Sequence, residues 1–218
     1  MSADGAPAAR PAGTAGTVIR VLLADDQALI RGALASMLGL ERDIEVVAQA
    51  GSGDEAVEAA LRLRPDVALL DVQMPGKDGL TAAAELREAL PSCRVVICTT
   101  YGRPGYVYRA MRIGVSGFVV KDAPPEQLAD TVRRVHAGLR VVDPALAAES
   151  LASGSNPLTP REQEVLRAAR KGGTAAEVAA VMHLSGGTVR NCLSSAMSKT
   201  GGSTRAEAVR IAEEQGWL

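Results

Sequence analysis

The stretch Val67-Ala68-Leu69-Leu70-Asp71-Val72-Gln73-Met74-Pro75-Gly76-Lys77-Asp78-Gly79 decides the fold. Four apolar residues run without alternation, as in a strand buried on both faces of a parallel sheet, and they stop on a carboxylate followed by a Pro-Gly turn. Similar short apolar or β-branched runs stand at 18–23, 44–50, 95–99 and 117–120. Helical patterns fall between and after them at 28–40, 54–64, 80–90, 105–113 and 125–137. Five strand–helix units in succession predict an α/β, doubly wound, five-stranded parallel sheet. In such a sheet the chemistry collects beyond the carboxyl ends of the strands, where Asp71 stands.

Outward from this core the pattern changes twice. Residues 1–17, with no early positive charge and no apolar run, read as a flexible tail and not as a signal peptide. After Gly138 the strand signals stop. Residues 139–157 read as a linker with a short helix opened by Asp143-Pro144 and a polar hinge at 152–157. Residues 158–218 read as a small all-α unit of four helices. Its start signals are Thr159-Pro160-Arg161-Glu162, the capping boxes Thr174-x-x-Glu177 and Thr204-x-x-Glu207, and Ser185-Gly186-Gly187-Thr188.

The 218 residues carry 24 Lys/Arg against 25 Asp/Glu, which excludes a polycationic nucleic-acid protein. Residues 157–218 hold eight basic and six acidic side chains, a net of +2 that leaves −3 for the rest. With one Trp, three Tyr and one Phe, the chain is too poor in aromatic platforms for a base-stacking module, and the core is aliphatic. Cys93, Cys98 and Cys192 have no metal or disulfide spacing, which fits a reducing cytosol. The longest run free of charged residues, 178–189, is 12 residues, too short for a bilayer span. A soluble, cytoplasmic protein without membrane insertion is expected.

The strand-end rule gathers Asp25 and Asp26 after the first strand, Asp71 after the third, Thr99 at the end of the fourth and Lys121 just past the fifth. Crowded carboxylates repel, and a hard divalent cation such as Mg²⁺ relieves the repulsion while leaving room for a phosphate oxygen. Carboxylates, a hydroxyl and a lysine together suit a phosphoryl-accepting site. Asp71 stands alone at its strand end and is the candidate nucleophile. Any one strand-end Asp is more simply a solvated turn former; the ordered set is not.

Ala24-Asp25-Asp26, the Asp71–Gly79 stretch, Thr99-Thr100 and Val119-Val120-Lys121-Asp122 resemble a bacterial response-regulator receiver domain over residues 18–138. The resemblance implies a flavodoxin-like fold and phosphorylation of Asp71 by a sensor histidine kinase. It implies Mg²⁺ held by Asp26, Asp71 and the backbone carbonyl of Gln73, with Asp25 assisting. Lys121 and Thr99 would bind the phosphoryl oxygens, and Phe118 would fill the aromatic switch position, although a lone Phe is equally well a core residue. Asp122 replaces a frequent proline; Gln73 and Tyr101 occupy positions along the route of attacking water. The segment 100–106 is similar to regulators paired with membrane-fluidity sensor kinases.

Two rival chemistries fit poorly. Phosphatases with an aspartyl nucleophile use a second Asp two residues later as general acid, where this chain has Gln73. A dinucleotide fold is weaker still, since Gly51-Ser52-Gly53 lacks the third glycine and follows the second strand. A receiver that no longer responds to phosphate is a further alternative.

In the C-terminal unit, Val189, Leu193, Ala196 and Thr200 form one stripe of a helix whose other side carries Arg190, Asn191, Ser194, Ser195 and Ser198. Such small and planar polar groups suit a major-groove edge, though a solvated face would look the same. Leu158-Thr159-Pro160-Arg161-Glu162, Glu177-Val178-Ala179 and Leu184-Ser185-x-x-Thr188-Val189-Arg190-Asn191 resemble a LuxR-type helix-turn-helix domain, which with the receiver makes the NarL/FixJ class. The resemblance implies base contacts from Arg190, Asn191 and Ser194, phosphate contacts near Thr188 and Lys199, and a dimer contact by the last helix. Implied partners are the kinase, a double-stranded DNA operator with half-sites about one helical turn apart, a second copy of the chain on phosphorylation, and RNA polymerase. Cys192 stands where the family usually has His, and basic residues are sparse along the reading helix. The monomer is therefore expected to bind DNA weakly and to depend on dimerisation.

Overall fold

The computed structural model describes residues 18–100, 102–122, 124–170 and 172–218; the expected tail 1–17 and the water-route position Tyr101 lie outside the described residues. The sheet is built from β1 (Ile19–Ala24), β2 (Ile44–Ala50), β3 (Val67–Leu70), β4 (Arg94–Thr99) and β5 (Gly117–Val120), all parallel. Its order is β2-β1-β3-β4-β5, extended by a two-residue sixth strand, β6 (Val141–Val142), that pairs Val141 with Gly117 and Val142 with Phe118. Five strands were expected. The sixth is two β-branched residues of the expected linker, too short to show a period.

Alternation along the strands sorts the core into two layers. Leu22, Ala24, Ala68, Leu70, Val95 and Ile97 pack toward α2 (Gly53–Leu63), α3 (Gly79–Ala89) and α4 (Pro104–Ile113). Val21, Leu23, Val67, Leu69, Val96 and Cys98 pack toward α1 (Ala28–Leu38) and α5 (Pro125–His136). Both faces of the strands are thus covered, which is why they read as unbroken apolar runs. The order reverses between β1 and β3, so the carboxyl ends of those strands frame the switch-point crevice.

α3 begins hard against the acceptor loop. Asp78 caps it by accepting from the Thr81 N–H at 2.6 Å, and the Gly79 N–H donates to the Val72 carbonyl at 3.0 Å. A Cβ on Gly79 would stand 1.7 Å from the Asp71 carbonyl oxygen. The glycine therefore lets a helix start within the loop that presents Asp71.

A linker helix α6 (Pro144–Ser153), capped by Asp143, leads to α7 (Pro160–Ala169), α8 (Ala175–Val181), α9 (Gly186–Thr200) and α10 (Arg205–Glu214). The four share a separate apolar core that includes Leu166, Val178, Val189, Leu193, Ala196 and Ala212. Thr159, Thr174, Ser185 and Thr204 are all N-caps. The expected box at Thr204 forms only by half: Thr204 accepts from the Glu207 N–H, but the Glu207 carboxylate takes the Ser203 N–H instead. Among the described residues no helix is long and apolar enough to cross a membrane.

Gly79→Ala is expected to lower stability by about 1–3 kcal/mol through backbone displacement, read as a lower urea midpoint. Gly32→Ala, inside α1 with nothing within 4 Å of the added Cβ, should instead raise it by up to about 1 kcal/mol.

Candidate functional site

The carboxyl ends of β1, β3 and β5 bring Asp25, Asp71 and Lys121 into one buried cluster. Backbone bonds brace it: the Asp25 N–H donates to Ala50, the Asp71 N–H to Ala24 and the Lys121 N–H to the Thr99 carbonyl at 2.8 Å. The Lys121 Nζ lies 2.7 Å from Oδ2 of Asp25 and 2.9 Å from Oδ2 of Asp71. Asp25 and Asp71 are 1% and 4% exposed, whereas Asp26 faces solvent beside them. One carboxylate oxygen from each of the three lies within 4.8 Å of the others.

Burial pushes the Asp71 carboxyl above its ordinary range, against the pull of the Lys121 ammonium. Burial would lower the pKa of Lys121, but the bonds to Asp25 and Asp71 outweigh it and hold the ammonium charged. The Cys98 thiol, under the same sheet end, is pushed up to about 12 by burial and is not a nucleophile at neutral pH.

Three carboxylates against one ammonium leave the cluster with an excess of negative charge. The donors are all hard oxygens, one carboxylate is open to solvent, and a hydrated divalent cation such as Mg²⁺ fits this set. Thr99, 2% exposed, ends β4 next to Lys121's strand. Gln73 is exposed on the loop, with its Nε2 3.4 Å from the Tyr106 hydroxyl. Phe118, 2% exposed, lies in one core cluster with Tyr106 and Val107 and pairs with Val142 of β6, and Leu146 of the linker helix packs against the same cluster.

Sequence reasoning missed two supports. Arg31, one turn into α1, donates to the Asp25 carbonyl and fixes the loop between the two β1-end carboxylates; no motif marks it. A cleft of about 1000 Å³ beside the cluster is lined by Asp26, Gln73 and Tyr106 on one side and by Gln163 and Arg167 of α7 and its C-cap Arg170 on the other.

The second candidate site is the outer face of α9. Thr188, Arg190, Asn191, Ser194 and Ser198 are exposed, while Val189, Leu193 and Ala196 are buried. Ser195 and Lys199 turn the other way. Ser195 Oγ donates to the Glu162 carboxylate at 2.6 Å and Lys199 Nζ reaches both its oxygens at 2.9 and 2.7 Å. Glu162 also accepts from the Thr159 N–H at 2.7 Å. Ser195 was expected on the reading face and Lys199 near DNA phosphates; here both pin α9 to α7. The signal was present, since Ser195 and Lys199 are four apart and so share a face. Burial works to raise the Glu162 pKa, but Lys199, Ser195 and the Thr159 cap prevail and hold it at about 2.

A family model described as "Response regulator receiver domain" matches residues 21–133, and one described as "Bacterial regulatory proteins, luxR family" matches residues 156–212. The transcriptional regulatory protein DesR of Bacillus subtilis is 42% identical over 92% of this chain and 100% of its own length. The response regulator protein VraR of Staphylococcus epidermidis is 34% identical over 88% of this chain and 94% of its own. The crystal structure of the response regulator ChrA, from a heme-sensing two-component system, superposes with a TM-score of 0.55 at 33% identity and covers 92% of this chain and 99% of that one.

The Glu162 cluster makes a pH prediction. Its carboxylate is held at about 2 against an ordinary 4.5, so its contribution to stability is complete above about 4.5 and disappears as pH falls toward 2. Thermal melts should show Glu162→Gln destabilised at pH 7 and less dependent on pH than wild type between these two values.

Proposed function

The chain belongs to the response regulators that join a receiver domain to a LuxR-type DNA-binding domain and act in transcription regulation, and from that premise we propose that phosphorylation of Asp71 switches it. The observation that carries this reading is the Lys121 ammonium bridging Asp25 and Asp71, with Asp26 beside them, at the switch point of the sheet.

A sensor histidine kinase is the proposed donor. An Asp71 Oδ attacks phosphorus, the bond to the donor breaks, and its electron pair leaves with the donor. Asp25, Asp26, Asp71 and the Gln73 carbonyl would hold Mg²⁺, which when bound offsets the charge between carboxylate and phosphoryl oxygens. Lys121, freed from Asp71 by its esterification, donates charge-assisted bonds to the phosphoryl oxygens, and Thr99 adds a hydroxyl. Each is worth about 1.5–3 kcal/mol, enough to shift a two-state equilibrium more than tenfold. Phe118 pairs with Val142 of β6, which joins the sheet end to the connection between domains. Apart from this self-modification the protein is not an enzyme.

The output we assign is cooperative binding of a dimer to a double-stranded operator in the cytoplasm, with RNA polymerase as a further partner. Arg190, Asn191 and Ser194 read base edges and Thr188 meets a phosphate, while Lys199 stays on Glu162 and keeps the helix aimed. We divide the chain into a receiver at 18–138, a linker at 139–157 and a DNA-binding domain at 158–218.

Intact mass after acetyl phosphate and Mg²⁺ should show one added phosphoryl group on wild type and none on Asp71→Ala. The same treatment should raise the dimer fraction and tighten the gel shift of wild type only. Equal modification of both proteins, or none of wild type, would refute the role given to Asp71. Arg190→Ala should weaken binding to the cognate site by about 1–3 kcal/mol, with its phosphorylation unchanged.

A further inference from the structure

Tyr106 of α4 touches both halves of the chain. Its hydroxyl receives the Gln73 amide at 3.4 Å, two residues past Asp71. Its ring lies 5.6 Å from the Arg103 guanidinium carbon, and a Cβ placed on Gly216 would stand 3.0 Å from its Cδ1. The ring is therefore packed against the C-terminal tail and is only 4% exposed.

Around this ring two helix ends meet. The Gly105 N–H, in the first turn of α4, donates to the Gln215 carbonyl at 2.8 Å, and Arg103 donates to the Glu213 carbonyl at the end of α10. The Gly105 N–H, free of any partner within α4, thus satisfies a carbonyl just past the end of α10, and the Arg103 guanidinium adds a second bond to the Glu213 carbonyl, which also accepts from the Gly216 N–H. Gly105 makes the approach possible, since a Cβ there would lie 2.4 Å from the Gln215 oxygen. The three atoms nearest to such a Cβ all belong to the C-terminal domain, so a side chain here strikes the docked tail first.

We propose that Tyr106 is a positioning residue that keeps the Gln73 amide engaged while the C-terminal domain is docked, so that undocking shortens the life of the phosphoryl group on Asp71. The inference rests on Asp71 being the phosphoacceptor. In hydrolysis the oxygen of water bonds to phosphorus, the phosphorus–oxygen bond to Asp71 breaks, and its electron pair restores the carboxylate. Inorganic phosphate leaves and a proton passes to solvent. A glutamine amide carries both a donor and an acceptor and can orient such a water. Held by Tyr106, the Gln73 amide is committed elsewhere; released, it is free to do so. Withdrawal of Glu213, Gln215 and Gly216 removes the atoms that pack Tyr106 and Arg103 in place. The open form is then the one that loses its phosphate faster, which limits the duration of the signal.

The test uses the full chain, phosphorylated with acetyl phosphate, freed of donor and followed by intact mass. Tyr106→Phe should shorten the phosphoryl half-life by about threefold or more, the effect of one lost hydrogen bond. The same change in a Gln73→Ala background should have no effect, an outcome that a merely structural role for the hydroxyl would not give. Gly105→Ala should speed proteolysis of the linker and shorten the half-life, again only with Gln73 present. An unchanged half-life in Tyr106→Phe, an equal shortening without Gln73, or domain separation in Gly105→Ala without shortening would each overturn the proposal. Failure of wild type to gain the phosphoryl mass would instead overturn the role of Asp71.

Discussion

The ammonium of Lys121 holds the receiver site together. Two buried carboxylates, Asp25 and Asp71, meet at the point where the strand order reverses. Without a cation they would repel across a poorly solvated gap. Lys121 arrives from β5, two strands from Asp71, so the ion pair ties the ends of β1, β3 and β5 into one unit. The same arrangement makes the site responsive. Any added negative group on Asp71 must redistribute the bonds of a lysine that Asp25 also holds, and the strand end that carries Lys121 continues from Phe118.

Much of this was legible because burial on two sides leaves a plain mark. The runs at 67–70 and 117–120 became strands with those bounds, and the remaining strand ends moved by one residue at most. Asp25, Asp26, Asp71, Thr99 and Lys121 were found by a rule about strand ends, which needs topology but no distances. What stayed hidden depends on rotation or on chain-distant contacts. Ser195 and Ser194 are adjacent in sequence, yet one faces Glu162 and the other solvent. A helix stripe drawn only from apolar residues does not separate them. The contact of Gly105 with Gln215 joins residues from different domains and leaves no local pattern at all.

The C-terminal domain solves a similar electrostatic problem differently. Glu162 is buried with Lys199, Ser195 and the Thr159 N–H around its two oxygens, so its charge is fully compensated. A buried pair of this kind is weak evidence for stability, but it specifies geometry. α9 is held to α7 at two points one turn apart, and its exposed residues are thereby aimed as a set. The reading face itself carries little charge beyond Arg190. In the proposed function, orientation more than electrostatic attraction would then supply selectivity, and weak attraction per copy would make pairing of copies valuable.

α4 is where the two solutions meet. Its first turn is bonded to the end of α10, its Tyr106 faces the loop after Asp71, and Tyr106, Val107 and Phe118 share one core cluster. A movement of Phe118 or of the acceptor loop therefore cannot leave the α4–α10 contact unaffected, because close-packed elements shift as units. The contact includes the Gly105 N–H on the Gln215 carbonyl, Arg103 on the Glu213 carbonyl and the Tyr106 ring against Gly216. In the switch proposed above, the contact must be weak enough for the bonds that a phosphoryl group gains from Lys121 and Thr99 to redirect it. The absence of side chains at Gly105 and Gly216 thus does more than permit close approach. It leaves the contact at both places to backbone atoms and the Tyr106 ring.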